Sequence, residues 1–152
     1  GVSLADQYGA NEANNWQMTR PQSLWGMHVE NLPNFYMMIG PQSLNPVTNV
    51  TLLCEEQGKY IANLVARMRK QGENEVEPTA AAVADWTQRC NASADGKVWL
   101  RCNNWYMKST KSDVEAGRER SQGMWMDTYE TYLQHVLGGA GGSQETLLRF
   151  RA

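Results

Sequence analysis

The sequence predicts an α/β fragment, mostly helix and loop with one or two strands, and three observations carry that reading. Val50, Leu53, Tyr60, Ile61, Leu64, Val65 and Met68 recur at three- and four-residue steps, the apolar face of one long helix. Glu77-Pro78-Thr79 opens a second helix that carries Val83, Trp86 and Cys90 on one stripe. Phe35-Tyr36-Met37-Met38-Ile39 is a continuous apolar run after Pro33, closed by Gly40-Pro41, the pattern of a buried strand.

Taken in order, residues 1–31 are rich in Asn, Gln and Gly, with Trp16, Trp25 and Met27 scattered without a period. They read as irregular connection with at most a short strand. After the 34–40 strand, Asn45-Pro46 is a second turn signal. Asn49 or Thr48 supplies the N-cap of the long helix, and Gly72 stands where a left-handed C-terminal residue belongs. Thr79 caps the second helix. Residues 91–123 read as short turns around Val98-Trp99-Leu100 and Trp105-Tyr106-Met107. Met124 to Leu137, with Trp125, Tyr129, Tyr132 and Val136, reads as a last helix. The glycines from Gly138 to Gly142 break it, and the final ten residues read as a loosely held tail. A lone strand leaves its backbone groups unsatisfied, so its sheet is expected to be completed by polypeptide outside this chain.

At 152 residues the chain suffices for one domain that buries about 70 % of its unfolded surface. A formal charge of −2 and a pI near 5.7 provide no basic field, which argues against nucleic acid or anionic lipid as partner. No apolar run approaches the ~20 residues of a membrane span, and no secretory signature opens the chain; a soluble, cytoplasmic protein is expected. Cys54, Cys90 and Cys102 are odd in number and widely spaced, which suits reduced thiols. With only His28 and His135, and no CxxC or HExxH spacing, the sequence offers no metal site. Glu55 and Glu56 are adjacent on a helix and point to different faces, so they do not form an acid–base pair. The charged stretch from Lys108 to Arg120 reads as a solvated loop.

One feature points to a ligand. The apolar run ends in a Gly-Pro turn, and Gln42-Ser43-Leu44-Asn45-Pro46-Val47-Thr48-Asn49 then delivers the chain to a helix N-terminus. Such a bend aims several backbone N–H groups at one point, an arrangement suited to an anionic or electron-rich group. The residues alone do not name it.

The passage from Leu32-Pro33-Asn34-Phe35 through Gly40-Pro41-Gln42-Ser43 to Glu55-Glu56-Gln57-Gly58-Lys59-Tyr60-Ile61 resembles the flavin-dependent Baeyer–Villiger monooxygenases. There an aromatic strand, a Gly-Pro-x-Ser turn and an Asn precede a Glu-Gln helix. Val76-Glu77-Pro78-Thr79 with Trp86 is similar to that family's second helix, and Asn104-Trp105-Tyr106-Met107 to its late aromatic segment. Gly1-Val2-Ser3-Leu4-Ala5-Asp6 is similar to the lead into the strand.

The resemblance implies the C-terminal part of an enzyme with FAD and NADPH domains of Rossmann type. Such an enzyme inserts one oxygen of O₂ into a ketone to give an ester or lactone. Residues 1–72 would be the end of the FAD domain, and 73–152 a helix and loop segment packed on it near NADP. Val50, with Asn49, would meet the flavin at the helix start; Leu44, Asn45, Pro46, Val47 and Val50 would line the ketone pocket. Trp105 would lie against NADP, although packing alone is an equal use of a tryptophan. Lys108 and Thr110 depart from the family pattern, in which Gly and Asn are commoner. No Gly-x-Gly-x-x-Gly occurs, so the dinucleotide fingerprints and the family's arginine are expected in a preceding N-terminal part, and no catalytic residue in this chain. Two alternatives stand beside this reading. One is a related monooxygenase oxidising nitrogen or sulfur, the other a small aromatic-rich binding module without catalysis.

Overall fold

The structure, a computed structural model, describes residues 22–43, 48–98, 107–108, 121–122, 124–138 and 144–152. Its elements are α1 (Val50–Gln71), β1 (Glu75–Pro78), α2 (Ala80–Ser93), β2 (Met107–Lys108), β3 (Ser121–Gln122), α3 (Tyr129–Gly138), α4 (Gln144–Leu147) and β4 (Leu148–Arg151).

Helix α1 begins as its sequence dictates. Asn49 holds an extended backbone and its side-chain oxygen accepts from the N–H groups of Thr51 and Leu52, at 3.0 and 3.2 Å. Gly72 ends the helix at φ +72°, its N–H returning to the Met68 carbonyl. Leu53, Gln57, Tyr60, Leu64 and Met68 form the buried face, at steps of four and three. Thr79 caps α2 through the Ala82 N–H, and Ala82, Val83, Trp86 and Cys90 face inward.

Strands β1 and β4 pair antiparallel, Glu75 opposite Arg151 and Pro78 opposite Leu148. The other edge of β1 is closed by Asn34: its N–H bonds the Val76 carbonyl at 2.9 Å, and its side-chain oxygen accepts from the Val76 N–H at 3.1 Å. Val76 therefore turns its polar backbone away from β4. Pro78 stands two residues on in the same phase, where no ladder donor is needed. Glu77, its side chain 7 % exposed, is held by Arg149 at 3.2 Å and Arg151 at 2.7 Å. One core takes Trp25 and Met27 from the first loop, the inner faces of α1 and α2, Trp125, Tyr132 from α3 and Leu148 from β4.

Three expectations are corrected. Residues 34–40 are not a strand. They make a single bridge, His28 with Tyr36, while Asn31, Asn34 and Ile39 have left-handed φ of +61°, +58° and +55°. The N–H groups of Met37 and Gly40 bond the carbonyls of Met27 and Gly26, so this segment finds its partners within the chain. Of the apolar run, Tyr36 and Ile39 pack against the core, while Phe35 and Met38 are exposed. The last residues are not a loose tail, because Leu148–Arg151 pairs with β1. The helix expected from Met124 starts at Tyr129; the residues before it are tied elsewhere, Trp125 N–H to the Ser43 carbonyl at 2.7 Å and Met126 N–H to Ser93 Oγ at 2.9 Å.

Candidate functional site

The turn from Ile39 to Ser43 is built under strain. Ile39 and Gln42 hold φ of +55° and +63°, positions at which a branched or long side chain is crowded. Gly26 and Gly40 make the close approach possible: a Cβ on Gly26 would stand 2.3 Å from the Ser43 Cβ, and one on Gly40 would stand 2.6 Å from the Gly26 carbonyl oxygen.

A buried polar network pins this turn from every side. The Gln57 carboxamide oxygen accepts from the Ile39 N–H at 2.8 Å, while its nitrogen donates to Ser43 Oγ at 3.1 Å and Tyr132 Oη at 2.8 Å. Tyr132 in turn donates to the Trp25 carbonyl at 2.6 Å. The Gln42 oxygen accepts from the Ser23 N–H at 2.9 Å, and its nitrogen donates to Thr87 Oγ1 at 3.0 Å. Trp86 donates its indole N–H to the Gln42 carbonyl at 3.0 Å, and Ser23 Oγ donates to the Pro41 carbonyl. Buried polar groups of this kind are stable only when satisfied, and here they are.

Beyond the turn the chain reaches the start of α1. Asn49 uses its side-chain oxygen on Thr51 and Leu52 and its carbonyl on the Leu53 N–H. The Val50 N–H has no acceptor among the described residues. Val50 and Leu52 are 52 % and 40 % exposed, and Met38, 50 % exposed, lies beside Gly58 two turns along α1. The helix start thus presents a donor without an acceptor among the described residues, the positive end of a 22-residue helix dipole and an apolar surround.

The titratable groups of the interior are quiet. His28 is enclosed by Tyr36, Tyr60 and Trp25, its Nε2 3.0 Å from Tyr60 Oη, and burial lowers it to about 4. Burial pushes Tyr132 up to about 12 and the Cys90 thiol well above its usual range. Burial, then the nearby Arg89 charge, lowers His135, which packs edge-on to Trp125 and Trp86. No metal-binding cluster occurs among the described residues, nor is any helix there long and apolar enough to cross a membrane.

Of the residues singled out from sequence, Asn49 and Val50 stand together at the helix start. Leu44, Asn45, Pro46, Val47 and Trp105 lie outside the described residues. Sequence reasoning missed Gln57, Tyr132 and Ser43 as a unit. The available signal was a glutamine on the apolar stripe, four residues after Leu53 and three before Tyr60.

No protein-family profile matches the chain. A Baeyer–Villiger monooxygenase of Pseudooceanicola batsensis is 30 % identical over 104 residues, covering 68 % of this chain and 18 % of that protein. A crystal structure of cyclohexanone monooxygenase from Rhodococcus sp. Phi1 bound to NADP⁺ superposes with a TM-score of 0.73 at 25 % identity, covering 87 % of this chain and 24 % of that one. OTEMO, crystallised in complex with FAD and NADP, shares the fold with a TM-score of 0.73 at 21 % identity, over 86 % of this chain and 23 % of its own. These likenesses show a class of fold: the chain shares its α/β architecture with part of these monooxygenase structures. More particularly, the chain is homologous to a segment of the Baeyer–Villiger monooxygenases, and it spans less than a fifth of the length of the curated relatives it matches.

Proposed function

We propose that this chain is the C-terminal part of an FAD- and NADPH-dependent monooxygenase that inserts one oxygen of O₂ into a ketone, giving an ester or lactone. The observation that carries the reading is the helix start: a strained, braced turn leads to a dipole end whose Val50 N–H has no acceptor among the described residues, beside exposed apolar side chains. That donor set fits the electron-rich pyrimidine edge of a flavin, which becomes anionic on reduction. Bound there, FAD supplies oxygen activation after reduction by NADPH.

The chain's own residues then have defined tasks. Val50 donates its N–H to the flavin edge, and Asn49 keeps the first turn in register. Val50, with Leu44, Asn45, Pro46 and Val47, borders the ketone and limits water at the reacting carbon. Trp105 packs against NADP. Residues 1–72 complete the FAD domain and 73–152 pack on it. The dinucleotide fingerprints and the charged groups that promote oxygen transfer belong to the preceding N-terminal part, which is this chain's partner.

The test uses the complete enzyme that contains this chain. Ketone-dependent NADPH oxidation with formation of the ester is expected. Val50→Pro, which keeps a residue tolerated in a first helical turn but removes the donor, should slow flavin reduction about tenfold and shift the flavin spectrum. NADPH oxidation without any ester product, for a panel of cyclic and open-chain ketones, overturns the activity. An unchanged spectrum and reduction rate in Val50→Pro overturns the contact.

A further inference from the structure

We propose that Gln57 is a positioning residue for this site: it braces the strained Ile39–Ser43 turn against the helix that carries Val50, and so governs how the ketone is oriented. The proposal rests on the monooxygenase reading above and extends it to a buried residue that touches neither cofactor nor substrate.

The geometry singles this residue out. One carboxamide bonds both ends of the turn, Ile39 through its N–H at 2.8 Å and Ser43 through its hydroxyl at 3.1 Å. The two left-handed residues of the turn, Ile39 and Gln42, lie within that span. Such backbone persists only where its surroundings over-determine it, and for Ile39 the only described acceptor is the Gln57 oxygen. Gln57 is seven residues, nearly two turns, from Val50 on one rigid helix. The brace therefore fixes where the chain leaves the turn relative to where it re-enters at the helix start.

The orientation of the amide is settled by its partners. The Ile39 N–H requires an acceptor, and the Tyr132 hydroxyl, which gives its proton to the Trp25 carbonyl, requires a donor. Tyr132 comes from α3, so that helix is tied to the turn through this glutamine. Gln57→Met keeps the volume and removes all of these bonds. Ile39 is then free to leave the left-handed region, and Ser43 loses its anchor on α1.

The experiment compares wild type, Gln57→Met, Ser43→Ala and Tyr132→Phe in the complete enzyme, with Leu64→Ala as a control that softens α1 far from the turn. With an unsymmetrical ketone, Gln57→Met should keep its flavin content and its KM for NADPH. Its KM for the ketone should rise about tenfold, and the ratio of the two regioisomeric esters should change. Ser43→Ala and Tyr132→Phe should move the ratio in the same direction, and they decide the question if Gln57→Met does not fold. An unaltered ketone KM and ester ratio in the folded variants overturns the role, as does an equal shift in Leu64→Ala. Wild-type enzyme without ketone-dependent NADPH oxidation overturns the activity reading and this role with it.

Discussion

Two glycines with nearly the same backbone angle illustrate how context sets the value of a residue. Gly26 has φ +74° and Gly72 φ +72°. A methyl group on Gly72 would meet nothing within 4 Å, so Gly72→Ala should lose only the backbone term, about 1 kcal/mol. On Gly26 it would stand 2.3 Å from Ser43 Cβ and 2.8 Å from Ser43 Cα, so Gly26→Ala must also push the turn away and should lose about 3 kcal/mol. Urea unfolding of the two variants measures the difference. His28 supplies a residue-scale prediction about pH. Its folded value of about 4 lies below the ordinary 6.5, so the unfolded chain binds the proton first as pH falls. Its contribution is complete above pH 6.5 and is lost progressively down to about pH 4, some ~3 kcal/mol in all. His28→Gln should flatten that part of the stability curve relative to wild type, measured by denaturant midpoints through the window.

Among the elements, β4 carries more than its four residues suggest. It pairs with β1, buries Leu148 and places Arg149 and Arg151 on the buried Glu77 carboxylate. Ending the chain at Leu147 should cost more than about 3 kcal/mol, since it opens the core and leaves a buried charge alone. Amide hydrogen exchange at Glu75 and Glu77 should then lose its protection; retained protection counts against the pairing as the source. This pair was invisible in the sequence. Glu75-Val76-Glu77-Pro78 is too short for a period, and its partner strand is distant in sequence, Glu75 pairing with Arg151. Helices α1 and α2 were legible because a cap, a stripe and, for α1, a terminal glycine agreed. The 34–40 segment is no strand because an apolar run does not report φ, and Asn34 and Ile39 adopt angles that no pattern of hydrophobicity encodes.

At the scale of the whole molecule, the site is a join between distant parts of the chain. The helix start at Asn49 and Val50, on which the proposed site rests, was legible because helix starts obey local rules. Its support was not: Gln57, Ser43, Tyr132 and Trp25 meet only after folding, and each alone resembles ordinary core or turn. The same join holds Trp86 and Trp125, stacked 5.1 Å apart and within 16° of parallel. One gives its indole N–H to the Gln42 carbonyl, the other its main-chain N–H to the Ser43 carbonyl. Two indoles so close couple their electronic transitions, and the coupling depends on their separation and angle. The pair is therefore a built-in optical gauge seated on the turn, one that near-ultraviolet circular dichroism reads with no added label.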